Sequence, residues 1–192
     1  MLNSAVILAG GKSSRMGEDK ALMPFGGCNS MAEYQYRRLK KIFKNVYISA
    51  KDNKFNFDAK IILDRYKQSS PMVAIASILE ELQEDFFLIS VDMPMLSLEA
   101  IKNLKEAYYE NPGYDIYVLT CNNNYEPTAT IYTKNSLSLV KKCLRNDTHK
   151  LKTLLNLSNK LPIKWDNCQE FININDKKMY IYAKKLIKNR KF

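Results

Sequence analysis

Glycine is scarce in this chain of 192 residues: there are six, and five of them fall before position 28. Histidine is scarcer still. The single one, His149, lies in the polar stretch RNDTHK and reads as a surface residue rather than an acid–base catalyst. No Ser/His/Asp arrangement stands out, so hydrolytic triad chemistry is not expected. Cys28, Cys121, Cys143 and Cys168 are widely spread, with no CxxC pair and no histidine at zinc-ligand spacing. Four reduced structural thiols are therefore expected, rather than a metal centre or a disulfide framework. No apolar run approaches the roughly 20 residues that cross a bilayer. No basic segment precedes the short apolar stretch near the start, so a secretory leader is not expected and a cytoplasmic protein is. Internal repeats, low-complexity tracts and Pro/Gly/Ser linkers are absent as well. Residues 1–192 are expected to fold as one domain.

Positive charge, by contrast, is plentiful: the formal net charge is +10. Lysine is spread along the chain, and its densest patch, KKLIKNRKF, suits the solvated face of a terminal helix. Nucleic acid is not the expected partner. Such a field equally steers small phosphorylated ligands.

Apolar runs alternate with amphipathic segments. Strands are expected at 5–9, 45–50, 60–64, 85–94, 115–121, 126–132 and 170–174. Helices are expected at 31–43, at 72–83 after Pro71, after a Ser97 cap, around 135–144 and from about 176, with 148–157 ambiguous. This alternation predicts an α/β fold: three layers, αβα, around a mostly parallel twisted sheet with a small antiparallel portion. Ligands bind such sheets outside the carboxyl ends of their strands. Two segments, LAGG and SVDMP, put polar residues at such an end.

In LAGGKSSRMGEDK, Gly10 and Gly11 allow positive φ and close approach of a ligand to the backbone, whose N–H groups form a concave anion site. Arg15 adds a planar fork of donors and Lys20 a compact ammonium. Asp19 either orients Lys20 or faces water. The spacing matches neither a Walker A loop, which needs glycine where Val6 stands, nor the dinucleotide fingerprint, since Gly10 and Gly11 are adjacent. A loop for polyphosphate is expected. Asp92, where the strand FLISV emerges, is a candidate Mg²⁺ ligand, because Mg²⁺ takes hard oxygen donors from one or two carboxylates together with substrate phosphates. Asp64 closes another strand, KIILD.

LAGGKSSRMGEDK closely resembles the signature of the molybdenum cofactor guanylyltransferase family, and its Asp19-Lys20 ending leans toward the guanylyl branch of the wider nucleotidyltransferases. VDMPML is similar to that family's metal-binding CDMPFL. The resemblance implies a Rossmann-like nucleotidyltransferase fold, GTP and molybdopterin as substrates, and Mg²⁺ as cofactor. It implies that Leu8, Ala9 and Gly10, with Gly11 in the same cradle, meet the nucleotide through their backbone. Lys20 would bind its phosphates, Asp64 would contact it, and Asp92 would hold the metal. Transient contact with cofactor-synthesis proteins is expected too.

Departures occur where SPMVAI stands for the family's GPLAGI, with Ser70 and Ala74 in place of glycines, and where Lys51 replaces a common Asn that Asn53 stands near. FININDKKMY resembles NINTPEDL. Asn173 and Asn175, two apart in an expected strand, share a face and are candidates to bind the pterin acceptor, or to ligate metal weakly. Helix capping by Asn175 or Asp176 is the plain alternative. A cytidylyl donor or other nucleotidyl transfer, and a nucleotide-binding regulatory protein without turnover, remain as rival readings.

Overall fold

The computed structural model describes residues 1–10, 17–66, 68 and 70–188. Seven strands form one sheet in the order β3-β2-β1-β4-β6-β5-β7. They are β1 (Ser4–Leu8), β2 (Asn45–Ala50), β3 (Lys60–Leu63), β4 (Phe86–Ser90), β5 (Ile116–Cys121), β6 (Asn124–Tyr132) and β7 (Lys160–Lys164). Only β6 runs against the others, antiparallel to both β4 and β5, which is the small antiparallel portion expected.

Helices cover both faces, making the three expected layers. Along β1, Ala5 and Ile7 point into one apolar cluster with α1 (Met31–Leu39), α3 (Leu98–Glu110) and α6 (Lys177–Lys188). Val6 and Leu8 point into the other with α2 (Pro71–Leu82), α4 (Leu137–Arg145) and α5 (Leu151–Leu157). The two-residue period of a strand buried on both sides explains why AVILA is apolar throughout. Among the described residues no helix is long and apolar enough to cross a membrane.

Helix starts follow the chemistry of their caps. Ser30, Ser70 and Ser97 each accept a hydrogen bond from the N–H three residues on. Pro71 occupies the first turn of α2. Gly26 and Gly27, at φ 56° and 80°, make the turn of the Phe25–Cys28 bridge, and a Cβ at Gly26 would run into the Tyr34 ring.

Three expectations need correction. β7 was not expected. KLPIK carries a proline and charged ends, which an edge strand tolerates because its outer side needs no ladder partner. The strand expected at 170–174 is instead a 3₁₀ turn, Cys168–Phe171, followed by extended chain. Its Ile174 N–H is spent on a single bond to the Asp92 carbonyl, 2.8 Å, rather than on a ladder.

Finally, the thiols are not all reduced. Cys121 and Cys168, 47 residues apart, are bridged across a Cα–Cα distance of 5.6 Å, while Cys28 and Cys143 are free. The bridge arises because β7 pairs with β5 and returns the chain to the end of β5, which linear spacing does not reveal. Thiol titration of the unfolded protein is expected to count two thiols before reduction and four after. Four before reduction would show the bridge absent.

Candidate active site

The parallel strands deliver their carboxyl ends to one edge. Beyond β1, the Leu8 carbonyl accepts the Val91 N–H at 3.0 Å, and the Ala9 N–H donates to the Ser49 carbonyl at 2.9 Å. The sheet thus extends one residue past β1 before Gly10 turns out to solvent. Val91 and Asp92 form the turn after β4, immediately alongside. Gly10 and the Asp92 turn therefore share one edge of adjacent strands. Gly11 and Arg15 lie outside the described residues.

Lys20 opens a short 3₁₀ turn, Lys20–Leu22, capped by Asp19, whose Oδ1 accepts the Ala21 N–H at 3.0 Å. The Lys20 Nζ donates to Asn175 Oδ1 at 3.1 Å and sits 3.8 Å from Asp92 Oδ2. Three segments far apart in sequence meet at this ammonium. Asn175 arrives because Ile174, fully buried, anchors the chain against Asp92. Asp176, not Asn175, caps α6, accepting the Met179 N–H at 2.8 Å. Asn173, two residues before Asn175, is part-buried.

Asp64 follows β3, with Oδ2 4.0 Å from where a Gly10 Cβ would stand. Burial pushes its carboxyl above the ordinary range, outweighing the Lys51 charge and a hydrogen bond from Ser49 that pull it down. Among the described residues, the buried carboxylate oxygens without any hydrogen-bond partner are Asp64 Oδ1 and Asp92 Oδ1. Buried polar atoms are nearly always paired, so two orphans at one sheet edge mark a place built for a ligand. A nearby third carboxylate, Glu126 on β6, is also pushed up by burial. Hydrogen bonds from Thr128 offset that, and the charge of Asp92 adds to it.

The model for the MobA-like NTP transferase domain matches residues 5–162. The chain belongs to that family. The molybdenum cofactor guanylyltransferase of Helicobacter pylori is 32% identical over 198 residues, spanning 96% of this chain and 93% of that protein. That of Campylobacter jejuni subsp. doylei is 32% identical over 175 residues, 90% of each. The crystal structure of molybdopterin-guanine dinucleotide biosynthesis protein A from Archaeoglobus fulgidus superposes with a TM-score of 0.83 at 18% identity, covering 97% of this chain and 100% of that one. At that identity it speaks to the fold alone.

This MobA-like nucleotidyltransferase holds its candidate site with residues that sequence reasoning passed over. Lys54 pairs with Asp19 Oδ2 at 2.5 Å and reaches the Ala9 carbonyl at 3.4 Å, tying the glycine turn to the Lys20 turn. From α1, Gln35 donates to the Met93 carbonyl at 3.0 Å and the Ser90 carbonyl at 3.4 Å. Arg38 donates to Gln35 Oε1 at 2.8 Å, to the Pro94 carbonyl at 2.9 Å and to the Leu96 carbonyl. Two buried side chains thus clamp the turn that bears Asp92. The only signal was the polar pair Gln35 and Arg38 interrupting an otherwise apolar helix face.

His149 Nδ1 lies 3.1 Å from the Ser70 hydroxyl at the start of α2, and its Nε2 lies 3.1 Å from Asp147. It is a structural tie between loops.

Asp64→Asn is expected to raise thermal stability at neutral pH. A carboxyl whose folded pKa is raised favours folding when protonated, and that contribution is lost as pH rises through the folded pKa. Removing the charge restores stability above that point, and the gain vanishes below the ordinary carboxylate range. Melting midpoints of both proteins at neutral and acidic pH check this; a neutral-pH loss contradicts it.

Proposed function

We propose that this protein transfers GMP from GTP to the terminal phosphate of molybdopterin, or of its molybdenum-bearing form, giving the guanine dinucleotide cofactor and pyrophosphate. The observation that carries the reading is the meeting of Lys20, Asp92 and Asn175 beside Gly10 at the carboxyl edge of the sheet. The names and identities of the curated relatives support the choice of guanylyl donor and pterin acceptor.

An acceptor phosphate oxygen attacks the α-phosphorus in line, and the bond to pyrophosphate breaks. The nucleophile is already anionic, so no side chain need take a proton. Catalysis then rests on position and charge. Lys20 neutralises phosphate oxygens, with Arg15 of the same sequence motif as a second cation and the backbone of Leu8, Ala9, Gly10 and Gly11 framing the nucleotide. Asp64 faces the nucleotide beside Gly10. Asn175, with Asn173 preceding it, orients the acceptor next to Lys20.

Mg²⁺ fits this site: Asp92 Oδ1 is a buried, unpartnered hard oxygen donor, the kind that cation takes. When bound, it neutralises charge spread over the phosphates. The reading sets the protein in the cytoplasm, receiving its acceptor from cofactor-synthesis proteins.

Thermal-shift titration with GTP, CTP, ATP and UTP, each with Mg²⁺ and with EDTA, tests it. GTP with Mg²⁺ is expected to stabilise most, since a ligand that binds the folded state raises its apparent stability by mass action. Pyrophosphate is expected only when molybdopterin is added. An equal or larger shift with CTP would overturn the guanylyl assignment, and nucleotide binding without pyrophosphate release would overturn the transfer.

A further inference from the structure

We infer that Glu126 is a second carboxylate of the divalent-cation seat, acting beside Asp92; this rests on the reading of Asp92 given above. β6 runs antiparallel to β4 with Ile89 opposite Ala129. Just past this pair, the Asp92 turn that follows β4 lies beside the segment of β6 that carries Glu126. The side chains bear this out. Thr128 donates from its hydroxyl to Glu126 Oε1 at 2.7 Å and from its N–H at 3.3 Å. The same hydroxyl lies 3.3 Å from the sulfur of Met93, the residue after Asp92.

Thr128 therefore holds one oxygen of Glu126 and leaves Oε2 without a hydrogen bond among the described residues. No salt bridge reaches Glu126 there either. The free oxygen of this part-buried carboxylate stands near Asp92, whose Oδ1 is buried without a partner, so the two supply hard oxygen donors to one place. Lys20 offers a single charge and stands 3.8 Å from Asp92. A divalent cation satisfies both carboxylates, and Mg²⁺ is commonly held by one or two of them. An exclusively structural role would use Glu126 to brace β6 through Thr128, and Gln at 126 would serve that role as well, since its amide oxygen accepts the same two bonds.

The test follows binding of a fluorescent GTP analogue as Mg²⁺ is raised, in wild type, Glu126→Gln and Asp92→Asn, with thermal unfolding to verify the fold of each. For Glu126→Gln the Mg²⁺ concentration at half-maximal binding is expected to rise about tenfold, the scale on which groups supporting a metal act. The wild-type plateau should still be reached at high Mg²⁺. An unchanged midpoint, or a loss of binding that Mg²⁺ does not restore, overturns the role of Glu126. Asp92→Asn separates the two claims. If its midpoint shifts and that of Glu126→Gln does not, only this inference fails; if neither shifts, the reading of Asp92 fails with it.

Discussion

Asp92→Asn is expected to leave a folded protein whose pyrophosphate release, with GTP and molybdopterin, falls by at least about 10²-fold in kcat. The fold survives because Asp92 joins the structure through its backbone: its carbonyl takes the Ile174 N–H at 2.8 Å, and an amide of the same shape leaves that bond intact. What disappears is the charge. Asp92 Oδ2 faces the Lys20 ammonium at 3.8 Å, and Oδ1 has no partner to lose. An interaction that matters only when the phosphates are present is one whose removal lowers turnover without lowering stability. Lys20→Ala is expected to lose turnover on the same scale. Because both act on one cluster of charge, the double variant is expected to fall well short of the product of the single losses. Steady-state pyrophosphate release and thermal unfolding of the three variants check this. Turnover near wild type in Asp92→Asn would remove Asp92 from the mechanism.

Much of this was legible in the sequence, for reasons that differ residue by residue. β1 and β4 are buried on both faces, so their apolar runs announce themselves and their polar ends mark the sheet edge where Gly10 and Asp92 emerge. Asp64 was legible as a strand end, but its closeness to Gly10 was not, because β2 intervenes in the sheet. Edge positions were the weak point. β7 carries Pro162 between charged ends, so its pattern resembles a loop, and missing it also hid the approach of Cys168 to Cys121.

Asn175 reached the site by another route than the one expected. A strand would have set Asn173 and Asn175 on one face. The chain instead bonds through the Ile174 N–H to the Asp92 carbonyl, and Asn175 reaches Lys20. Glu126 left no local trace at all, because its approach to Asp92 comes from antiparallel pairing between strands 34 residues apart along the chain.

Arg38→Met is expected to be the most destabilising change near the site. The Arg38 guanidinium donates to the Pro94 and Leu96 carbonyls and to Gln35 Oε1, and the side chain is only 6% exposed. Methionine fills much of the stem's volume but offers no donor. Three buried acceptors lose this donor, at about 1–3 kcal/mol each, so a loss of roughly 3–5 kcal/mol follows once partial rehydration is allowed. For a chain of this size each kcal/mol lowers Tm by about 2–4 °C, giving a drop on the order of 10 °C.

The consequence for function comes through Gln35. Its amide holds the Ser90 and Met93 carbonyls on either side of Asp92, and Arg38 fixes that amide in place. With the clamp released, the Asp92 turn loses its register against Lys20. Turnover measured well below the new melting point is then expected to fall, with more Mg²⁺ needed for half-maximal rate. Gln35→Leu, which frees the turn but leaves Arg38 on Pro94 and Leu96, should show the same Mg²⁺ shift with a smaller loss of Tm. If both variants lose stability yet keep the wild-type dependence on Mg²⁺, the clamp supports the fold and has no part in setting Asp92.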